Sequence, residues 1–235
     1  NNVVSLGGGE FAVSVYGSGY DGSTWRSGTS IAVFDSGNNI NLQNTNYIEN
    51  VSYYDRDTGN YGYEYQYVSR MVSSGNGDLA IGWSRYSSSR ENGIYNYDST
   101  IDISTYDVSE DGIEETNSYE IAKGDHYFYD GSSYSWGWNY ITDMKALNDG
   151  TIVVALNKYS YSYDYNTRKS DFTNDAAVTV INSDGNTFNI TLGQSDSWRG
   201  SRSITQITSS GNGGFGIVYN EDYSDGDSSV SKTSV

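Results

Sequence analysis

Four glycines, Gly9, Gly77, Gly150 and Gly213, close turns rich in Gly, Asn and Asp, and the same apolar pattern surrounds each of them. Two positions on stand Phe11, Leu79, Ile152 and Phe215; four on, Val13, Ile81, Val154 and Ile217; six on, Val15, Trp83, Leu156 and Tyr219. A period of two marks a half-buried strand. Six positions before the glycine stand Val3, Met71, Met144 and Ile207, and nine before it Val68, Ile141 and Ile204. Each copy is therefore a strand, a glycine turn and a second strand, which is a hairpin. A chain that repeats one hairpin at spacings of 68, 73 and 63 residues must fold as an array of equivalent units.

A second pair of strands follows each hairpin after a long polar loop. Ser30 to Asp35, Ile103 to Asp107 and Val178 to Asn182 alternate and end in Asp or Asn, and each leads through a glycine turn (Gly37, Gly112, Gly185) into a further alternating segment. Four antiparallel strands in a meander, repeated in tandem, predict an all-β chain of β-propeller-like blades, with a β-sandwich or β-solenoid array as the alternative. Strand content of at least about 40% and no helix beyond about two turns are expected. The units run about 1–66, 67–139, 140–202 and 203–235. The last stops inside its third strand, which predicts an open sheet edge at Val230 to Val235 able to accept a strand from a second copy or from a neighbouring repeat. Because Pro is absent, the turns must rest on the 27 Gly and on Asn, Asp and Ser.

The units resemble a loose group of repeats in large secreted bacterial surface proteins, which read apolar-x-x-Leu-x-Asp-Gly-x-apolar-x-Val-x-Trp followed by a strand ending Asp-x-x-Gly. Ile141, Leu147, Asp149, Gly150, Val153 and Val154, then Val178, Val180, Asn182 and Gly185, carry the likeness, and Trp83 holds the Trp position in the second copy. The first copy departs from it by lacking the Asp-Gly turn. The resemblance implies a surface-exposed adhesive or structural role.

Thirteen Lys and Arg against 30 Asp and Glu leave a net charge of −17, which repels a nucleic-acid backbone. No stretch approaches the 18 or so apolar residues of a membrane helix, so membrane insertion is not expected. Without Cys and with one imidazole, His126, nucleophilic catalysis is poorly supplied. Carboxylate pairs such as Glu114 with Glu115, or Asp55 with Asp57, leave glycoside hydrolysis as an alternative, although adjacent residues of a strand point to opposite faces. Oxygen-rich turns supply candidate Ca²⁺ ligands at Asp107, Asp111, Asp184, Asp222, Asp225 and Asp227, against which stands the ordinary use of Asp in sharp turns.

Tyrosine placement carries the functional reading. Tyr61, Tyr63, Tyr65 and Tyr67 occupy alternate positions, as do Tyr159, Tyr161, Tyr163 and Tyr165, so in extended chain each set lines one face. Tyr134, Trp136 and Trp138 repeat the pattern, and the two indoles are the best candidates for stacking on sugars. The chain is thus read as a non-catalytic extracellular or cell-surface structural or adhesive protein that associates with its own repeats or copies. A carbohydrate-binding module and a glycoside hydrolase are the alternatives.

Overall fold

A computed structural model describes the chain apart from residues 1, 23, 38–40, 76, 92–93, 110, 125–127, 130–131, 196–199, 211–212 and 225–228. The described residues are all-β, 83% of them in strands with no helix among them. Four antiparallel sheets follow one another along the chain as the blades of a β-propeller. Blade 1 is β1 (Asn2–Gly7), β2 (Glu10–Asp21), β3 (Thr24–Asp35) and β4 (Asn41–Glu49). Blade 2 is β5 (Val51–Tyr54), β6 (Tyr61–Gly75), β7 (Asp78–Glu91), β8 (Ile94–Ser109) and β9 (Gly112–Gly124). Blade 3 is β10 (Phe128–Tyr129), β11 (Ser133–Ala146), β12 (Ile152–Asp164), β13 (Lys169–Ile181) and β14 (Thr187–Ser195). Blade 4 is β15 (Gly200–Ser209), β16 (Phe215–Ser224) and β17 (Ser229–Ser234). Every sheet is a simple meander in chain order. β5 and the start of β6 thus belong to the second sheet, and β10 and the start of β11 to the third.

The four hairpins superpose in register. Ser5 faces Phe11, Ser73 faces Leu79, Ala146 faces Ile152 and Ser209 faces Phe215; one step out, Val3 faces Val13, Met71 faces Ile81, Met144 faces Val154 and Ile207 faces Ile217. The marker glycines all have positive φ, between 76° and 96°, a conformation that a Cβ would strain. Beyond them, a β-bulge interrupts β6, β11 and β15 at Ser69, Thr142 and Thr205. A bulge inserts one unpaired residue. That extra residue is why the apolar positions before the glycine lie six and nine places back instead of six and eight.

Packing runs from each blade to the next. Leu79, Ile81 and Trp83 are fully buried against Ala12, Ile31 and Val33 of blade 1. Ile152, Val154 and Leu156 close on Ala80, Ile101 and Ile103 of blade 2, and Phe215, Ile217 and Tyr219 pack on Val153, Ala155 and Val178 of blade 3. The positions two, four and six past the glycine therefore always face the preceding blade. One side chain each from β1, β6 and β11 reaches β6, β11 and β15 of the next blade. Asn2 Nδ2 donates to the Val68 carbonyl (3.2 Å), Arg70 to the Thr142 carbonyl (2.8 Å), and the Asp143 carboxylate accepts the Ile207 N–H (2.7 Å). All three stand seven before their glycine. The sequence of contacts is not closed, since blade 4 makes no comparable contact with blade 1 among the described residues.

One expectation is corrected. The segments read as long polar loops are strand: β2 with β3, β7 with β8 and β12 with β13 remain paired through Asp21 with Thr24, Glu91 with Ile94 and Asp164 with Lys169. Each blade thus has an inner half that packs on its neighbours and an outer half that projects as a long hairpin. Apolar alternation fades there because burial no longer demands it, and Ser and Tyr take its place.

Candidate functional site

The projecting halves carry the aromatic residues. In blade 3, β11 pairs with β12 so that Tyr134 faces Tyr163, Trp136 faces Tyr161 and Trp138 faces Tyr159. Strand partners share a face, so both alternating sets form one wall, which β13 extends with Phe172 opposite Tyr161. Trp136 and Trp138 stack with centroids 4.4 Å apart and planes 2° apart, closer than the 6.6 to 7 Å backbone repeat of about two residues. Trp136 continues onto Tyr161 (5.4 Å), Trp138 onto Tyr159 (5.5 Å) and Tyr134 onto Tyr161 and Tyr163. Tyr165 lies past the end of β12 in the turn, yet its ring still meets Tyr134 and Tyr163.

Blade 2 repeats the wall at equivalent positions. Tyr63 stacks on Tyr65, and both Tyr65 and Tyr67 stack on Tyr86, which touches Tyr97. Tyr61 meets Tyr95 edge-on, and the Arg90 guanidinium lies 5.2 Å from the Tyr95 centroid. At the inner end of each wall two hydroxyls meet, Tyr67 with Tyr86 at 3.4 Å and Tyr140 with Tyr159 at 3.1 Å. Buried Asn157 joins the second pair to blade 4, donating to the Tyr140 hydroxyl and accepting the Ile204 N–H. Burial pushes the Tyr97 phenol up to about 12, and burial together with the Tyr140 hydroxyl does the same for Tyr159. The Tyr161 hydroxyl beside Tyr134 raises that group to about 12. Tyr97, Tyr134 and Tyr159 are therefore neutral, donor-bearing phenols at physiological pH.

Ring geometry limits what the walls offer. A sugar stacks on an open ring face. Trp136 and Trp138 cover one another's inner faces, and tyrosines lie against both, so edges and hydroxyls are what reach solvent. A different pair has an open face. Tyr20 and Trp25, at the tip of the β2–β3 hairpin, are 74% and 56% exposed and meet at 75°. The sequence signal for this pair is an aromatic on each side of the Gly22 turn.

The acidic turn residues are dispersed. Asp107 lies near the end of β8 and, with Asp78, Thr116 and Asn117, lines a cleft of about 560 Å³ between blades 2 and 3. Burial and the Asp107 charge raise the Asp78 carboxyl. Asp111 and Asp184 lie in the β8–β9 and β13–β14 turns, while Asp222 on β16 accepts bonds from the Ser201 and Ser231 hydroxyls. Asp225, Asp227 and His126 fall outside the described residues. Among the described residues no three His, Cys, Asp or Glu side chains converge to hold a metal ion. Turn carboxylates serve the backbone instead: Asp35 accepts the Gly37 N–H, Asp149 that of Thr151 and Asp164 that of Asn166. Glu114 and Glu115 sit side by side on β9, facing Asp107 and Tyr106 respectively, and so project from opposite faces. Asp55 caps the turn before β6 by accepting the Asp57 N–H and the Thr58 hydroxyl.

A second cleft, of about 420 Å³, lies where the blade 1–2 connection crosses the outer half of blade 2. Glu49, Glu64, Arg85, Asp98 and Lys123 line it, with ion pairs from Arg85 to Asp102 (3.3 Å) and Lys123 to Asp98 (3.7 Å). Comparison with protein-family models, curated proteins and solved structures finds no match.

Proposed function

We propose that the chain is a non-catalytic structural or adhesive module of a cell-surface or extracellular protein, and that the aromatic walls of the projecting hairpins are its contact surfaces. The observation that carries this reading is that the rings lie outside the blade-to-blade cores, at equivalent positions of blades 2 and 3, where blade packing does not require them. Rows of ring edges tipped with hydroxyls suit wet protein interfaces, in which Tyr and Trp supply rigid contact area and polar tips tolerate water. The likeness to repeats of secreted surface proteins points the same way. Ca²⁺ bound by turn carboxylates would stiffen such a module, with Asp107 and Asp78, which line one cleft, as candidate ligands.

Carbohydrate binding is the second reading, favoured by the open ring of Trp25. Adhesion of beads coated with the chain, to immobilised proteins and to a glycan array, separates the two. Trp136→Ser with Trp138→Ser should lower adhesion to protein-coated surfaces at least about tenfold and leave the melting midpoint within a few degrees. Glycan binding abolished by Trp25→Ala would favour the second reading. Adhesion indifferent to every aromatic substitution, or turnover of chromogenic glycosides, would overturn the first.

A further inference from the structure

We propose that the blade 3 wall is a site of oxidative cross-linking: its row of touching rings carries oxidation to the tip of the β11–β12 hairpin, where Tyr165 couples covalently to Tyr134. The bond forms within one chain, so this does not depend on what the wall binds. A one-electron oxidant at the surface meets rings before sulfur, because the chain has no Cys and both Met71 and Met144 are buried. Entry is open at two places, Trp138 (39% exposed) and Tyr165 (51%). Between them the rings are in unbroken contact. Trp138 stacks on Trp136 at 4.4 Å, Trp136 on Tyr161 at 5.4 Å, and Tyr134 lies 5.7 Å from Tyr161 and 5.9 Å from Tyr165. Rings this close exchange an electron across van der Waals contact, so an electron lost from an indole is replaced from along the row.

The tip is where the oxidation comes to rest. A phenol that loses an electron also sheds its proton, and the neutral radical left behind holds the oxidation more firmly than an indole does at neutral pH. Four phenols meet at the tip, Tyr134, Tyr161, Tyr163 and Tyr165. The Tyr134 hydroxyl donates to that of Tyr161, a hydrogen bond along which its proton can leave, and half-exposed Tyr165 releases its own to water. At the inner end Tyr140 and Tyr159 are phenols too, but their rings lie 11° from parallel. Stacked rings present faces, which keeps apart the carbons beside each hydroxyl that must join. In blade 2, Tyr65 and Tyr67 lie 16° and 13° from parallel with Tyr86, so the second wall is likewise unsuited. Tyr134 and Tyr165 are inclined at 49°. Tyr165 lies in the turn past β12, so its ring can swing towards Tyr134, whereas Tyr163 is set in the ladder.

The chemistry balances. Each phenol loses one electron and its hydroxyl proton to give a phenoxyl radical, with spin on the carbons ortho to the oxygen. Two such carbons, one from each ring, form a C–C bond. Each joined carbon then gives up its hydrogen as a proton, each oxygen takes one up, and two aromatic phenols are restored. Two electrons and two protons have left the chain, and hydrogen peroxide, turned over by a haem peroxidase, accepts them and becomes two molecules of water. The bond closes the tip of a hairpin whose outer half lies outside the blade-to-blade cores, and so opposes the local opening to which such a segment is prone.

Oxidation of the full chain with hydrogen peroxide and a haem peroxidase tests this, in solution dilute enough that copies rarely meet. Trypsin cuts after Lys123, Lys145, Lys158 and Arg168, which releases Tyr134 and Tyr165 on separate peptides, 124–145 and 159–168. The expected product is a monomer lighter by two hydrogens, with dityrosine fluorescence, in which these two peptides stay joined through Tyr134 and Tyr165. Tyr165→Phe, at an exposed position, should abolish the joined pair and keep the circular dichroism of the unmodified chain. Tyr163→Phe should keep the pair. Trp136→Phe, which interrupts the row, should lower the yield of the pair for a given amount of peroxide. Oxidation that gives only oligomers or oxygenated rings, a bond that survives Tyr165→Phe, one that is lost in Tyr163→Phe, or a yield indifferent to Trp136→Phe would each overturn the proposal.

Discussion

Gly82 offers the sharpest test of how blades are held together. It lies on β7 facing blade 3, and a Cβ there would enter the van der Waals envelope of Ile141 Cδ1, with Ile103 Cδ1 at 3.4 Å and Met144 Sδ at 3.6 Å. Both isoleucines and the methionine belong to the buried core between blades 2 and 3. Overpacking a well-filled core costs about 1–3 kcal/mol. Replacing Gly in a strand recovers about 0.5–1 kcal/mol of chain entropy. Gly82→Ala should therefore destabilise by about 1–2 kcal/mol, although most glycine substitutions of this kind on a regular strand would be neutral or helpful. Ile141→Val removes the clashing methyl and alone should cost about 0.5–1.5 kcal/mol. Together the new methyl occupies the space vacated, and the double variant should lie within about 1 kcal/mol of wild type. Urea unfolding of the four proteins, followed by tryptophan fluorescence and by circular dichroism, gives the cycle. Additive costs, within about 0.5 kcal/mol, would show that Gly82 is not packed against Ile141 and would refute the assigned blade 2–3 contact.

Two further outcomes are expected. Asp143→Ala should leave the buried Ile207 N–H without its acceptor, at about 1–3 kcal/mol, and speed hydrogen exchange at that amide, whereas Asp143→Asn keeps an acceptor and most of the stability; equal losses from both would dismiss the tie. Alkali should unfold the chain late. Burial raises Tyr97, Tyr106 and Tyr159 from 10 to about 12, so their stabilising contribution is complete below pH 10 and is lost as pH climbs towards 12. Urea midpoints falling across that window, with phenolate absorbance rising in step, would agree; full ionisation near pH 10 in a folded chain would not.

The hairpins were legible in the sequence because their apolar alternation is enforced by burial on the preceding blade, as at Leu79, Ile81 and Trp83. The aromatic walls were legible too, since Tyr61 to Tyr67 and Tyr159 to Tyr163 keep period two outside the blade-to-blade cores. The bulges at Ser69, Thr142 and Thr205 left only an unexplained spacing of three. The segments after Trp83 and Leu156 read as loop because Ser, Asp, Asn and Arg carry no hydrophobic signal even where the chain is strand. The open face of Trp25 was hidden for another reason: ring orientation is decided by cross-strand neighbours, and no spacing rule reports it.

The ties between blades have a consequence for how such a chain can change. Asn2, Arg70 and Asp143 are an amide, a guanidinium and a carboxylate, yet they do the same task, because each addresses a main-chain carbonyl or N–H that any residue would supply. A joint made to backbone asks nothing of its neighbour's side chains. Units joined in this way are free to drift apart in sequence, and a duplicated unit can be spliced in without a matched partner, so long as the bulge keeps its place. Trp83, Leu156 and Tyr219 at one equivalent position are what such freedom looks like after it has been used.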